Sequence, residues 1–168
     1  MNREQVLRRR LKLLTWFFII GLVLSGATAM PLQMELNWLV KTIAPNYSDG
    51  QQNTLLVTWL VKVQQALQET GQKFPFLFYG TDWLAFGHYM IALSFVGALR
   101  DPVRNRWLYD FGLIACVLVI PFAFICGAVR GIPIWWGFID CSFGVFGFIP
   151  LWFCRSAAKE LEASEAKK

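Results

Sequence analysis

Four long apolar runs divide the chain, at about residues 13–30, 83–99, 108–129 and 134–153. A helix that crosses a bilayer needs about 20 mostly apolar residues, each adding about 1.5 Å along the axis. Each run is close to that length. The pattern therefore predicts an all-α membrane protein, a four-transmembrane-helix bundle in which residues 1–168 form a single membrane domain.

The only sizeable segment between these runs is 31–82, and its apolar residues follow helical spacing. Two stripes are visible, the first made by Leu32, Leu36, Leu39, Val40 and Ile43, the second by Leu55, Leu56, Trp59, Leu60, Val63 and Leu67. A turn signal at 45–50 separates them, and Gly71 is expected to end the second. We predict two short amphipathic helices on the outer side of the membrane, which either pack on the outer ends of the bundle or lie in the interface with Trp38 and Trp59 at headgroup depth.

Basic residues cluster beside the apolar runs and predict the orientation of the chain. They precede the first run, fill the turn at 100–107 and follow the fourth run: Arg3, Arg8, Arg9, Arg10, Lys12; Arg100, Arg104, Arg106; Arg155, Lys159, Lys167, Lys168. By the positive-inside rule, both termini and this turn are cytoplasmic, and the segment 31–82 faces outward. The net charge of +5 therefore reflects topology, and we expect no nucleic-acid partner.

Composition supports the membrane class, since 56% of residues are hydrophobic and only 16% are charged, with a mean hydropathy of +0.45. The first run, followed by Ala27-Thr28-Ala29, is similar to a secretory signal with its cleavage site. However, Gly21, Ser25 and Thr28 are spaced like a helix-packing seam. We expect this segment to be retained as an anchor.

Two features are expected at the cytoplasmic end. Asp110 lies near the start of the third run and is predicted to pair with Arg104, Arg106 or Arg155. The tail at 156–168 is rich in alanine, glutamate and lysine, which predicts a frayed cytoplasmic helix that continues the fourth span.

Ionisable residues near or inside the apolar runs form the candidate polar cluster: His88, Asp140, Arg130 and Asp82. Such residues are costly to bury in a membrane and often mark function. His88 and Asp140 lie at similar predicted depth on faces rich in small residues, so we predict that they pair, with Arg130 above them. The pair serves either as interhelical glue or in proton or ligand work. Asp82 is expected to interact with the N-terminus of the second span.

The four cysteines, Cys116, Cys126, Cys141 and Cys154, all lie in the last two spans without a C-x-x-C motif. Helical phase allows at most one bridge, so Cys126 and Cys141 are the candidate thiols. Buried, unreactive cysteine is the favoured interpretation.

No cofactor and no metal are expected. A single histidine excludes bis-histidine haem, and His88 has no suitably placed methionine partner. Histidine, cysteine and carboxylate residues do not recur at metal-ligand spacing, and no phosphate-binding or nucleophile motif is present.

Several strings resemble those of a group of small uncharacterised four-span bacterial inner-membrane proteins with no known activity. The strings are YGTDWL with Gly87-His88, LRDPVRN at 99–105, Gly131-Ile132-Pro133 and IDCSFGVFG at 139–147. The likeness covers most of residues 13–150. It implies a location in the bacterial inner membrane and assigns no catalytic residue.

Three function classes remain open. The favoured one is a non-catalytic subunit or assembly or accessory factor of a membrane complex, with the lipid bilayer and another membrane protein, or a second copy of this chain, as partners. The first alternative is a small transporter or proton-linked carrier that uses His88 and Asp140. The second alternative is a membrane enzyme of quinone or thiol redox chemistry. The scarcity of polar residues and the many aromatic ones favour the accessory role over an enzyme.

Overall fold

A computed structural model describes residues 3–45, 47–48 and 53–166 of the protein. Over these residues the chain forms helices and no strand. They are α1 (Arg3–Ala29), α2 (Leu32–Ile43), α3 (Leu55–Lys73), a short 3-10 helix (Pro75–Phe78), α4 (Tyr79–Arg100), α5 (Arg106–Arg130) and α6 (Ile134–Glu165). The fold class is therefore all-α, as predicted.

Four of these helical stretches are long and apolar enough to cross a membrane: Arg3–Ala29, Pro75–Arg100, Arg106–Arg130 and Ile134–Glu165. This confirms the prediction of four apolar helices and supports a multi-pass membrane protein. The helices extend beyond the predicted apolar runs because polar residues continue the helical backbone at their ends. Between α5 and α6, Gly131 has a φ of 68°, a left-handed conformation that glycine adopts without steric cost and that ends α5.

The two shorter helices lie where the sequence predicts helices. Pro31 immediately precedes α2, and the Thr54 hydroxyl caps α3 by accepting the Val57 N–H at 3.4 Å. The prediction that Gly71 ends the second helix is wrong, because α3 continues to Lys73. A Cβ at Gly71 would lie 3.0 Å from the Gln33 Oε1 atom, so glycine here permits close approach. The predicted turn at 45–50 lies partly outside the described residues.

The chain divides into two compact units. The terminal unit comprises Met1–Leu22 and Ile91–Lys168, and the middle unit comprises Val23–Met90. Because α1 and α4 each contribute residues to both units, the division falls within helices. Each unit is described separately below.

The terminal unit has a well-packed core. The side chains of Phe95, Tyr109, Leu151 and Leu161 are fully buried. The Phe95 ring lies 4.8 Å from Phe18 and 6.2 Å from Tyr109, measured between centroids, and such aromatic pairs add to the energy of burial. The helices α5 and α6 form extensive contacts with each other.

Ion pairs join the helices of the terminal unit. Arg3 pairs with Glu160 at 2.7 Å and Arg8 with Glu165 at 2.6 Å, while Arg106 pairs with Glu162 and Arg155 with Asp110. The predicted arginine partner of Asp110 is thus confirmed as Arg155. The tail is helical as predicted, but fraying is wrong over residues 156–165, because Ala158 and Leu161 are fully buried in the core.

In the middle unit, α2 packs against α3 and buries Leu36, Val40, Leu60 and Val61. The predicted seam of small residues in the first helix is wrong in register. Gly21 has open space around it, and Thr28 is exposed. Gly26 makes the close contact instead: its Cβ position lies 2.9 Å from the Tyr89 ring and 3.1 Å from the Ala85 carbonyl oxygen.

Candidate functional site

The residues of the predicted polar cluster are distributed over both units. His88 and Asp82 belong to the middle unit, whereas Asp140 and Arg130 belong to the terminal unit. The pairing of His88 with Asp140 therefore stays a prediction, and each residue is characterised by its surroundings within its own unit.

The His88 side chain is half-buried, and its Nδ1 atom lies 2.8 Å from the Leu84 carbonyl oxygen of the preceding helical turn. Because a carbonyl only accepts, Nδ1 carries the hydrogen in this contact, and Nε2 is the acceptor when the ring is neutral. The Cβ position of Gly26 lies 3.1 Å from the His88 Cβ. Packing against α1 thus helps to hold the base of this side chain.

Asp82 is exposed in the first turn of α4. This position is compatible with the predicted interaction with the N-terminus of the helix, which stays a prediction.

Asp140 is half-buried on α6, on the same side as Gly137 and Gly144. Both glycines permit close packing against α5, since their Cβ positions lie 3.0 Å from the Phe124 ring and 2.7 Å from the Cys116 carbonyl oxygen. Arg130 is exposed at the end of α5. In the part of the chain that the structure describes, Arg130 and Asp140 form no ion pair.

The four cysteines are free thiols. Of the two candidate thiols, Cys141 is buried and Cys126 is half-buried. Cys154 is buried, with its sulfur 3.7 Å from the Thr15 hydroxyl oxygen. The hypothesis of thiol redox chemistry stays a prediction.

A buried hydrogen-bonded group in the terminal unit was missed by the sequence analysis. The Thr15 hydroxyl oxygen lies 2.9 Å from the Tyr109 hydroxyl oxygen, and both side chains are fully buried. Threonine and tyrosine are uncharged and common in apolar segments, so neither gave a signal in sequence. Within the described residues, no buried side-chain nitrogen or oxygen lacks a partner. This group satisfies its own polar atoms inside the core.

An exposed row of aromatic rings lies on α4 in the middle unit. Tyr79, Trp83 and Phe86 recur at helical spacing, with centroid distances of 5.9 Å for the first pair and 5.5 Å for the second. Their exposed fractions are 62%, 55% and 49%. We call these three residues the aromatic row; its i, i+4, i+7 spacing is readable in the sequence but was not singled out there.

The middle unit also contains a cleft of about 670 Å³, formed by α2, Pro31, Met30 and Phe78. The polar residues Gln33, Asn37 and Lys41 line it. The Asn37 Oδ1 atom accepts hydrogen bonds from the side-chain amides of Gln64 and Gln68, each at 2.9 Å. Two side chains of α3 therefore fix the orientation of the Asn37 amide.

Over the described residues, the structure contains no group of three or more histidine, cysteine, aspartate or glutamate residues arranged to hold a metal ion. No family model, curated protein or solved structure matches the chain.

Proposed function

We propose that this protein is a non-catalytic subunit or accessory factor of a membrane complex, and that the aromatic row contacts its partner, another membrane protein. The resemblance noted in the sequence supports the bacterial inner membrane as its location. The distribution of arginine and lysine supports cytoplasmic termini, which place α2 and α3 on the outer side.

The observation that carries this proposal is the exposure of three rings already held together on one helix face. Aromatic side chains contribute large contact areas at low entropic cost, and tryptophan and tyrosine are enriched at the energetic centres of interfaces. Mutual ring contacts between Tyr79, Trp83 and Phe86 restrict the rings before a partner arrives. Binding a partner then requires a smaller loss of side-chain conformational entropy.

The terminal unit provides a supporting contrast. Its largest aromatic core residues, Phe95 and Tyr109, are fully buried, and its charged residues pair between helices. Those interactions stabilise the fold of that unit, whose other aromatic residues include exposed ones such as Trp107, Phe122 and Phe143. The exposed, pre-arranged rings of the middle unit are the better candidate for recognition.

Copurification from native membranes in mild detergent tests the proposal. The variant Trp83→Ala is compared with Trp107→Ala, a matched control because Trp107 is a 60% exposed tryptophan of the terminal unit, on α5. We expect wild type and Trp107→Ala to retain a stoichiometric membrane-protein partner, and Trp83→Ala to lose most of it. Equal recovery of the partner by all three forms would contradict the role of the row, and recovery of the chain alone would contradict the accessory function.

A second candidate function, a proton-linked carrier, is favoured by the state of Asp140. This half-buried residue of an apolar helix has no ion pair with Arg130, and carboxylates in such positions often serve proton or ligand pathways. His88, whose Nε2 atom is an acceptor in the neutral ring, is a second group of the chain that can take up a proton.

Proton flux into vesicles containing the purified protein tests this candidate. Asp140→Asn and His88→Gln should each reduce flux, whereas Asp82→Asn, at an exposed carboxylate, should not. If wild-type flux equals that of protein-free vesicles, the carrier candidate is wrong.

A further inference from the structure

The cleft in the middle unit presents two adjacent rows of side chains, five of them on α2 and one, Met30, in the turn that precedes it. Gln33, Asn37 and Lys41 form a polar row at i, i+4 and i+8, and Met30, Met34 and Trp38 form an apolar row with the same spacing. Both rows line the same cavity. A ligand that fills it must therefore offer one polar edge and one apolar edge.

The polar row is rich in hydrogen-bond donors. Because Asn37 Oδ1 is occupied by Gln64 and Gln68, its Nδ2 group is the part of the amide left to donate. Lys41, one turn further along, adds an ammonium group and has no ion pair among the described residues. The described lining of the cleft contains no carboxylate. A cleft that presents hydrogen-bond donors and a positive charge, with no carboxylate among its described lining residues, is complementary to an anion.

The apolar row suits a flexible hydrocarbon chain. Methionine is unbranched and adapts its shape to irregular partners, and tryptophan is favoured where an apolar surface meets a polar one. Met34 and Trp38 are both largely exposed, so they are available to a ligand. The cleft volume of about 670 Å³ lies in the range of small-molecule sites and is too small for a folded partner.

We infer that this cleft is a binding site for an anionic phospholipid, with the phosphate against Lys41 and Asn37 and the start of an acyl chain along Met30, Met34 and Trp38. Charge complementarity identifies the anionic headgroup, and the row of methionines identifies the lipid chain. A chain with four helices long and apolar enough to cross a membrane encounters such lipids. The inference goes beyond the proposed function and does not depend on it, since it uses α2 and not the aromatic row.

Native mass spectrometry of the delipidated full chain in detergent tests the site. Phosphatidylglycerol is titrated alongside phosphatidylcholine with the same acyl chains. We expect one phosphatidylglycerol to bind more tightly than phosphatidylcholine, and Lys41→Gln to weaken phosphatidylglycerol about fivefold, as expected for one lysine facing an anionic lipid. The control is Lys62→Gln, which removes the same charge from an exposed position on α3 and should leave binding unchanged.

Two further measurements separate a lipid from a free anion. Met34→Gln should weaken phosphatidylglycerol binding, because it removes the apolar edge, and millimolar inorganic phosphate should compete poorly. Full displacement by phosphate together with no effect of Met34→Gln would identify a free-anion site and overturn the inference. Equal binding of the two lipids, or equal losses in Lys41→Gln and Lys62→Gln, would also overturn it.

Discussion

Two groups of contacting aromatic rings, one in each unit, differ in their burial. In the terminal unit, Phe95 and Tyr109 are fully buried and contact each other and Phe18. In the middle unit, Trp83 and Phe86 contact each other just as closely but remain about half exposed. The same helix, α4, carries Phe86 in one unit and Phe95 in the other. Burial rather than residue type therefore distinguishes the rings that hold the core of the terminal unit from those of the aromatic row, which we propose contact a partner.

Polar groups show the same difference. The hydroxyl groups of Thr15 and Tyr109 bond to each other inside the core, so they are satisfied within the protein. Asn37, which lines the cleft, uses its side-chain oxygen for two internal bonds to Gln64 and Gln68. Internal hydrogen bonding links two core residues in one unit, whereas in the other it fixes an amide in the lining of a cleft.

The largest effect is expected from truncating a phenylalanine in each unit. Phe95→Ala should lower the free energy of unfolding by about 3 kcal/mol, because it leaves a cavity between Phe18 and Tyr109. Phe86→Ala, on the same helix, should cost less than about 0.5 kcal/mol because the ring is exposed. Unfolding by steric trapping in bicelles measures both, and equal losses would remove the distinction between the units.

A smaller loss is expected where α5 and α6 meet. A Cβ at Gly144 would lie 2.7 Å from the Cys116 carbonyl oxygen, a backbone atom that moves only if the helices separate. Gly144→Ala should therefore destabilise the protein by about 1–3 kcal/mol. Gly21→Ala is the control, since no atom lies within 4 Å of its Cβ position. If the two variants unfold alike in the same assay, the close packing of α5 and α6 is contradicted.

The buried hydroxyl pair should contribute a modest coupling energy. A double-mutant cycle with Thr15→Val and Tyr109→Phe isolates the hydrogen bond between them. Couplings of this kind in membrane proteins average about 0.6 kcal/mol and reach about 1.7 kcal/mol. Additive effects of the two changes would show that the contact contributes nothing to stability.

The smallest effect concerns the ion pair between Glu69 and Lys73, which lies within the single helix α3, unlike the four pairs that join helices of the terminal unit. The hydrogen bond and positive charge of Lys73 hold the pKa of Glu69 below its ordinary value. Because the pKa of Glu69 is lower in the folded protein than in the unfolded chain, this ion pair stabilises the fold at pH values above the unfolded pKa. The stabilisation is lost as the pH falls through the folded pKa. A carbon-13 titration should show the Glu69 pKa rising in Lys73→Met, and an unchanged pKa would contradict the pairing.

The four long helices and the two short ones could be predicted from the sequence, because length and periodicity of apolar residues are local signals. For Asp110, the sequence restricts the possible ion-pair partners to three arginines, because only basic residues near the same end of the spans can contact its carboxylate. The structure selects Arg155 because α6 packs on α5.

Features that depend on tertiary packing could not be predicted. The alanine-rich composition of 156–165 gave no sign that Ala158 and Leu161 are buried, since burial depends on helices remote in sequence. The register of the seam in α1 was wrong for the same reason: Gly21 and Gly26 are both glycine, and only the position of Ala85 and Tyr89 makes Gly26 the contact residue. Likewise, the buried hydrogen bond of Thr15 and the two rows of the cleft could be recognised only in the structure.

Photocrosslinking in living cells tests most directly whether the aromatic row of the middle unit contacts a partner protein. A photoreactive phenylalanine analogue replaces Trp83 in one strain and Trp107 in another, two exposed tryptophans of different units. The account predicts a discrete protein adduct from position 83 and lipid adducts alone from position 107. Lipid adducts alone from both positions would contradict it.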